Sequence, residues 1–239
     1  VVSTLREPLT IAVAQPGCQP YDVERNARAH AAAVRAAAAR VVVFPELSLT
    51  GYELDAPPVA DDDPRLASLV EACGTTGTLA LAGAPVEGVG GRRHIAMIAV
   101  EGGRAWTCYR KLVIADGESS RFSPGDAPVV LGVDGWQLGL AICKDTSVPE
   151  HAADTAALGA DMYVAGMVLE VEEESIMALR ARRVAETLGL PTAIASFAGP
   201  TGDYRPALGR SGIWDATGAE RARAGVAPGE AVRTVLSAT

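Results

Sequence analysis

Reactive and metal-binding side chains are scarce in this sequence. It holds four cysteines, Cys18, Cys73, Cys108 and Cys143, and no two of them form a C-x-x-C pair. With only three histidines besides, no zinc-ligand cluster is visible, so neither a metal nor an organic cofactor is expected. A disulfide framework is not expected in a chain of 239 residues. Positive charge is short as well. The 21 Lys and Arg against 29 Asp and Glu leave a net charge of −8, which argues against nucleic acid as a partner, because phosphate contacts need a basic face. No apolar run approaches the ~20 residues that span a bilayer. Residues 1–6 lack a basic stretch followed by an apolar one, so nothing there reads as a signal peptide, and Val1 in place of Met suggests a trimmed start. The expectation is a cytoplasmic protein with no membrane partner.

What is present points to a globular fold. Apolar residues make up 49%, too many for a disordered chain, and the length suits one domain over residues 1–239 with a sizeable core. Strands are expected at 9–14, 41–44, 78–82, 95–100, 104–109, 129–131, 137–142, 161–164, 192–196, 212–215 and 232–236. Helices are expected at 24–40, 65–72, from Ser147 onward, and at 172–188, whose acidic start and later arginines suit the helix dipole. Ser147-Val148-Pro149-Glu150 has capping-box spacing with Pro in the first turn. Residues 112–128 and 199–210 read as loops, and no internal repeat is visible. Strands that alternate with helices and are then joined by hairpins imply α/β architecture with mixed sheets and outer helices.

Three apolar runs end on chemistry. Val41-Val42-Val43-Phe44 stops at Pro45-Glu46, Ala105-Trp106-Thr107-Cys108-Tyr109 at Arg110-Lys111, and Leu138-Gly139-Leu140-Ala141-Ile142 at Cys143-Lys144-Asp145. Ligands gather at the carboxyl ends of strands in open α/β sheets. A thiol, a carboxylate and an ammonium brought together there suit covalent catalysis. A free thiol has pKa ~8.5 and needs a base, for which Glu46 is the candidate. Attack on a carbonyl or nitrile carbon develops negative charge that Lys111 and the Lys144 backbone N–H would hold. Taken singly, each residue has an ordinary reading: a cap, a solvated strand tip, an inert buried thiol. Residue pattern alone leaves both readings open. Cys18, Cys73 and Cys108 are expected to be structural.

The words around these residues resemble the nitrilase superfamily of carbon–nitrogen hydrolases. Val43-Phe44-Pro45-Glu46-Leu47 with Leu49-Thr50-Gly51-Tyr52, then Tyr109-Arg110-Lys111-Leu112, then Leu140-Ala141-Ile142-Cys143-Lys144-Asp145 with Pro149-Glu150, match its three motifs in order and spacing. The resemblance implies a four-layer αββα sandwich, paired into a homodimer or larger homo-oligomer. It assigns Glu46 as general base, Lys111 as oxyanion stabiliser and Cys143 as nucleophile. Glu118, in a segment that looks like the family's further glutamate, becomes the fourth catalytic residue. The implied activity is cysteine-dependent hydrolysis of a small linear amide or carbamoyl compound through a thioester. A true nitrilase, a carbamoylase, an ammonia-transferring subunit, a Cys–His hydrolase and a non-catalytic subunit of the same fold are the alternatives. Lys144 departs from the Tyr, Trp or Arg that relatives often carry after the cysteine, and its side chain is expected to face solvent, with recognition of an acidic substrate group as the competing assignment. Met167 and Val168 follow a strand and would line the acyl pocket, with ordinary core as the competing assignment. Ser211 fits a family Gly-x-Ser, and Glu170, Glu172, Glu173 and Glu174 read as a solvated helix start.

Overall fold

The computed structural model describes residues 6–237. Val1–Leu5, which carry most of the reading of the N-terminus, lie outside them. The strands are β1 (Leu9–Gln15), β2 (Val41–Val43), β3 (Leu79–Glu87), β4 (Arg93–Glu101), β5 (Arg104–Arg110), β6 (Val130–Val133), β7 (Trp136–Ile142), β8 (Met162–Met167), β9 (Thr192–Ser196), β10 (Ala198–Thr201), β11 (Tyr204–Leu208), β12 (Gly212–Trp214), β13 (Glu220–Arg223) and β14 (Glu230–Leu236). The helices are α1 (Val23–Ala37), α2 (Ala67–Thr76), α3 (Pro149–Ala157) and α4 (Glu174–Leu188).

Two six-stranded sheets form the middle, ordered β14-β1-β2-β3-β4-β5 and β13-β12-β9-β8-β7-β6. Each holds three consecutive parallel strands, β1-β2-β3 or β7-β8-β9, flanked by antiparallel ones. The two halves share this arrangement although the sequence shows no repeat. A fold constrains which faces are apolar, not which apolar residues fill them.

The side-chain period of two splits the central strands between two cores. Ile11, Val13, Val43 and Leu81 meet Leu138, Leu140, Val164 and Ala195 between the sheets. Ala12, Val42, Phe44 and Ala80 face α1 and α2. Ala141, Tyr163, Ala165 and Ile194 face α4. The result is an αββα sandwich. In α1, Val23, Ala27, Ala31 and Val34 form the buried stripe, and the Asp22 side chain caps the helix by accepting from the Arg25 N–H at 3.0 Å.

Several boundaries differ from the sequence expectation. Helix α1 ends at Ala37 rather than residue 40, because the Arg40 N–H donates to Thr10 O and Arg40 O accepts from Leu79 N–H, so the sheet takes those backbone groups. Ser147 does not cap α3. Cys143–Ser147 form a separate 3-10 turn, the Ser147 hydroxyl donates to Lys144 O within it, and Val148 precedes α3 without a side-chain cap. The expected loop over 199–210 contains the hairpin β10–β11, turning at Gly202-Asp203 between paired Thr201 and Tyr204. Strand β13 was not expected, because Glu-Arg-Ala-Arg is a charged edge with no apolar alternation.

Candidate active site

Strands β4 and β5 each reverse direction, so β5 runs parallel to β2 and both end on the same side of their sheet. Glu46 and Lys111 therefore leave one sheet together. The facing sheet supplies Cys143 from the end of β7. Two glycines let the backbones approach this closely. A Cβ on Gly83 of β3 would lie 2.3 Å from Leu47 N and 2.4 Å from Pro45 O, and one on Gly166 of β8 would lie 2.6 Å from Phe44 O. The segment carrying Glu46 is thus held between two strands at points where any side chain would displace it.

Lys111 is fully buried and its ammonium sits between two carboxylates. Nζ donates to Glu46 Oε1 at 2.7 Å and to Glu118 Oε1 and Oε2 at 2.8 and 2.7 Å. Glu118 also accepts from the Ala115 N–H at 2.9 Å, which folds the 115–118 turn around it. Glu46 Oε2, buried, has no hydrogen-bond partner among the described residues. Burial pushes the Glu46 carboxyl up to about 7; Lys111 opposes the shift and Glu118 adds to it. Burial also works against the Lys111 ammonium, but the neighbouring carboxylates, Glu46 first and then Glu118, outweigh it and the net shift is upward. Lys111 keeps its charge between the two carboxylates, Glu46 first and Glu118 with both its oxygens. Glu46 is bound to Lys111 through one oxygen only.

Cys143 opens the 3-10 turn with φ 40, in the left-handed region that a residue with a side chain seldom adopts. Neighbouring groups hold this elbow. Cys143 O accepts from the Thr146 hydroxyl at 2.6 Å and from Arg180 Nη1 at 3.4 Å, and Arg183 Nη2 donates to Thr146 O at 2.6 Å. The thiol points toward Val168 O at 3.8 Å. Burial raises it to about 12, with Glu46 adding to the shift and Lys111 opposing it. The resting group is therefore a thiol, not a thiolate.

The remaining expected residues fall in different places. Glu118 joins the cluster. The Lys144 side chain is exposed, and its backbone N–H lies in the first turn after β7, where the turn itself offers no partner. Val168 lies beside the thiol, whereas Met167 is fully buried with Met177 and Ala181 of α4 and belongs to the sheet–helix core. Ser211 is structural: its hydroxyl accepts from Ser196 N–H at 3.0 Å. His30 and His151 spend both ring nitrogens elsewhere, on Asn26 and Ser48 and on Tyr109 and Tyr163, and His94 Nδ1 lies against Ser123 O. None of the three imidazoles is hydrogen-bonded to Cys143, whose thiol points to Val168 O. No cluster of three or more metal-ligating side chains occurs among the described residues.

Sequence reasoning missed Asp145, Tyr52, Tyr204 and Arg180. Asp145 and Tyr52 stand in the quoted motifs and were the legible ones among them. Tyr52 and Tyr204, ring centroids 5.5 Å apart and edge to face, line a cavity of about 560 Å³ that reaches Glu118. Carboxylates dominate that cavity: Glu53, Asp55, Glu118, Glu170 and Asp203 against Arg121.

A sandwich of this topology is the fold of the nitrilase superfamily. The model of the family described as carbon-nitrogen hydrolase matches residues 10–226, and the chain belongs to that family. Among solved structures, a cysteine-to-alanine variant of the Nesterenkonia AN1 amidase superposes with a TM-score of 0.84 at 25% identity, over 96% of this chain and 90% of that one. Saccharomyces cerevisiae Nit3, a member of branch 10 of the nitrilase superfamily, superposes with a TM-score of 0.86 at 21% identity, over 98% and 91%. A curated relative from Pseudomonas protegens, described as "Hydrolase in pqqF 5'region", is 35% identical over 176 residues, which span 68% of this chain and 59% of that relative. Among the described residues no helix is long and apolar enough to cross a membrane.

Proposed function

We propose that the protein hydrolyses a C–N bond of a small linear amide or carbamoyl compound through a thioester on Cys143. The observation that carries this reading is the Lys111 ammonium held between Glu46 and Glu118, with Glu46 tuned to about 7 and one of its oxygens unpaired. Sγ attacks the carbonyl carbon while Glu46 accepts the thiol proton. The oxyanion is stabilised by Lys111 Nζ and the Lys144 N–H. Glu46 then returns its proton to the leaving amine, the C–N bond breaks, and a thioester remains. Water, deprotonated by Glu46, attacks the thioester. The acid leaves and Cys143 recovers its proton. Glu118 keeps Lys111 charged and placed throughout.

The Nesterenkonia amidase structures support an amide rather than a nitrile. One is a complex with butyramide, and another carries the acetamide moiety of fluoroacetamide on its active-site cysteine. The acidic mouth of the cavity here disfavours an anionic substrate and favours a neutral or cationic one. Leu158 and Leu179, 57% and 65% exposed at the end of α3 and on α4, support pairing of two copies through that helix layer. Sedimentation velocity tests the pairing: a dimer is expected, and a monomer at micromolar concentration contradicts it.

Ammonia release across a panel of amides and carbamoyl compounds tests the activity. The expected result is turnover by the parent and a loss of at least about 10⁴-fold in Cys143→Ala. Full activity in Cys143→Ala, or turnover of nitriles alone, overturns the reading.

A further inference from the structure

A second buried polar cluster adjoins the site, and the mechanism above makes no use of it. Asp145 is completely buried and lies two residues after the nucleophile. Its Oδ1 accepts from the backbone N–H groups of Leu112 at 3.2 Å and Val113 at 2.8 Å, the two residues that follow Lys111. Its Oδ2 accepts from the Ile142 N–H at 2.9 Å, the residue before Cys143, and from the Tyr109 hydroxyl at 2.7 Å, two residues before Lys111. One carboxylate therefore ties together the backbone on both sides of the lysine and the backbone leading into the cysteine. These segments belong to different sheets and share no backbone ladder.

The donors behind Asp145 form a directed chain. Burial lowers the His151 pKa more than the Asp145 charge raises it, so the imidazole is neutral near pH 7. Because the Tyr109 hydroxyl donates to Asp145, it accepts from His151 Nε2–H at 2.8 Å. Nδ1 then accepts from the Tyr163 hydroxyl, also at 2.8 Å. Tyr163 is on β8 and His151 on α3, so the chain anchors the carboxylate to two further elements. Every ring nitrogen and oxygen in it is paired.

We propose that Asp145 is a positioning residue: it fastens the end of β5 to the cysteine elbow and so sets where Lys111 Nζ stands relative to Cys143 Sγ. The proposal rests on the roles given above to Lys111 and Cys143. Asparagine is isosteric with aspartate, yet its amide would turn N–H toward donors at one of the two oxygen positions. The β5 end would be released from the elbow while the fold around it remained. Misplacement of about an ångström costs on the order of 100-fold in rate.

The test compares Asp145→Asn, Tyr109→Phe and the parent in three measurements: thermal midpoint, kcat and KM on the best amide, and the rate of Cys143 alkylation by iodoacetamide. In folded Asp145→Asn, kcat is expected to fall about 100-fold with KM within about twofold of the parent, and alkylation is expected to change with it. Tyr109→Phe keeps the three backbone contacts and is expected to lose about three- to tenfold in kcat. A folded Asp145→Asn with lowered midpoint but parental kcat and alkylation rate is a merely structural result and overturns the proposal. If Asp145→Asn does not fold, Tyr109→Phe carries the test: a kcat loss of about three- to tenfold is expected, and parental kcat and alkylation in that variant overturn the proposal. Absence of amide turnover in the parent counts against the proposed activity alone, since the alkylation comparison still reads the elbow.

Discussion

The two buried polar clusters that adjoin Cys143 are built on different terms. Around Lys111, two carboxylates compete for one ammonium, and Glu46 Oε2 is left without a partner. Around Asp145, two backbone segments, two tyrosines and a histidine converge, and no polar side-chain atom of the four residues lacks a partner. Unsatisfied buried polar groups are costly and satisfied networks rigid. In the proposed mechanism the first cluster is where a proton moves, and the second is the frame around it. A hydrolase of this kind needs both: an acid–base group tuned near neutrality, and a frame that holds it in register with the thiol.

Lys111→Met should break the contrast most severely. It strands two buried carboxylates, so activity should fall by at least about 10⁴-fold and stability by about 3–5 kcal/mol, read from turnover and the denaturant midpoint. Glu46→Gln should separate the two quantities, lowering kcat/KM by about 10²–10⁴-fold with little loss of stability, because burial works against the Glu46 charge and Glu118 still gives Lys111 both oxygens. Its stability difference from the parent should depend on pH. The folded-state value of Glu46, about 7, lies above the ordinary 4.5, so its contribution is present below about pH 4.5 and is lost as pH rises to about 7. Denaturant midpoints at pH 5 and pH 8 should accordingly favour Glu46→Gln over the parent more strongly at pH 8.

Gly83→Ala comes next. The added Cβ meets the backbone of Leu47 and Pro45, so a stability loss of about 1–3 kcal/mol should accompany reduced kcat as the Glu46 segment is pushed aside. Smallest is Tyr163→Phe, at the far end of the satisfied network. It should cost about 1 kcal/mol by leaving His151 Nδ1 unpaired, with kcat close to the parent's. A large kcat loss in that variant would show that the two clusters are not separable in role.

The sequence made the first cluster partly legible and the second almost not at all. Glu46, Lys111 and Cys143 each close an apolar run, a local signal that a strand period exposes. Glu118 needed the family resemblance, since a glutamate in a glycine-containing loop has no local signal. Asp145 stood in the motif, but apart from Ile142 its partners, Tyr109 on β5 and Leu112 and Val113 just beyond it, lie up to 36 residues away in the chain. Gly83 and Gly166 act by letting backbones meet, which no single-chain pattern encodes. The same limit governed the elements. The parallel strands were visible as apolar runs, whereas β13 is charged, β10–β11 lies among Gly and Pro, and the 3-10 turn after Cys143 displaced the cap expected at Ser147.

The pH dependence of kcat/KM in the parent and in Glu46→Gln tests the central claim most directly. Glu46 must be ionised to take the thiol proton, while Lys111 and Cys143 are both raised well away from neutrality. The parent should therefore show one limb, rising with pH through about 7 to a plateau, and the residual activity of Glu46→Gln should lack it. The same limb, unchanged in Glu46→Gln, would contradict the account.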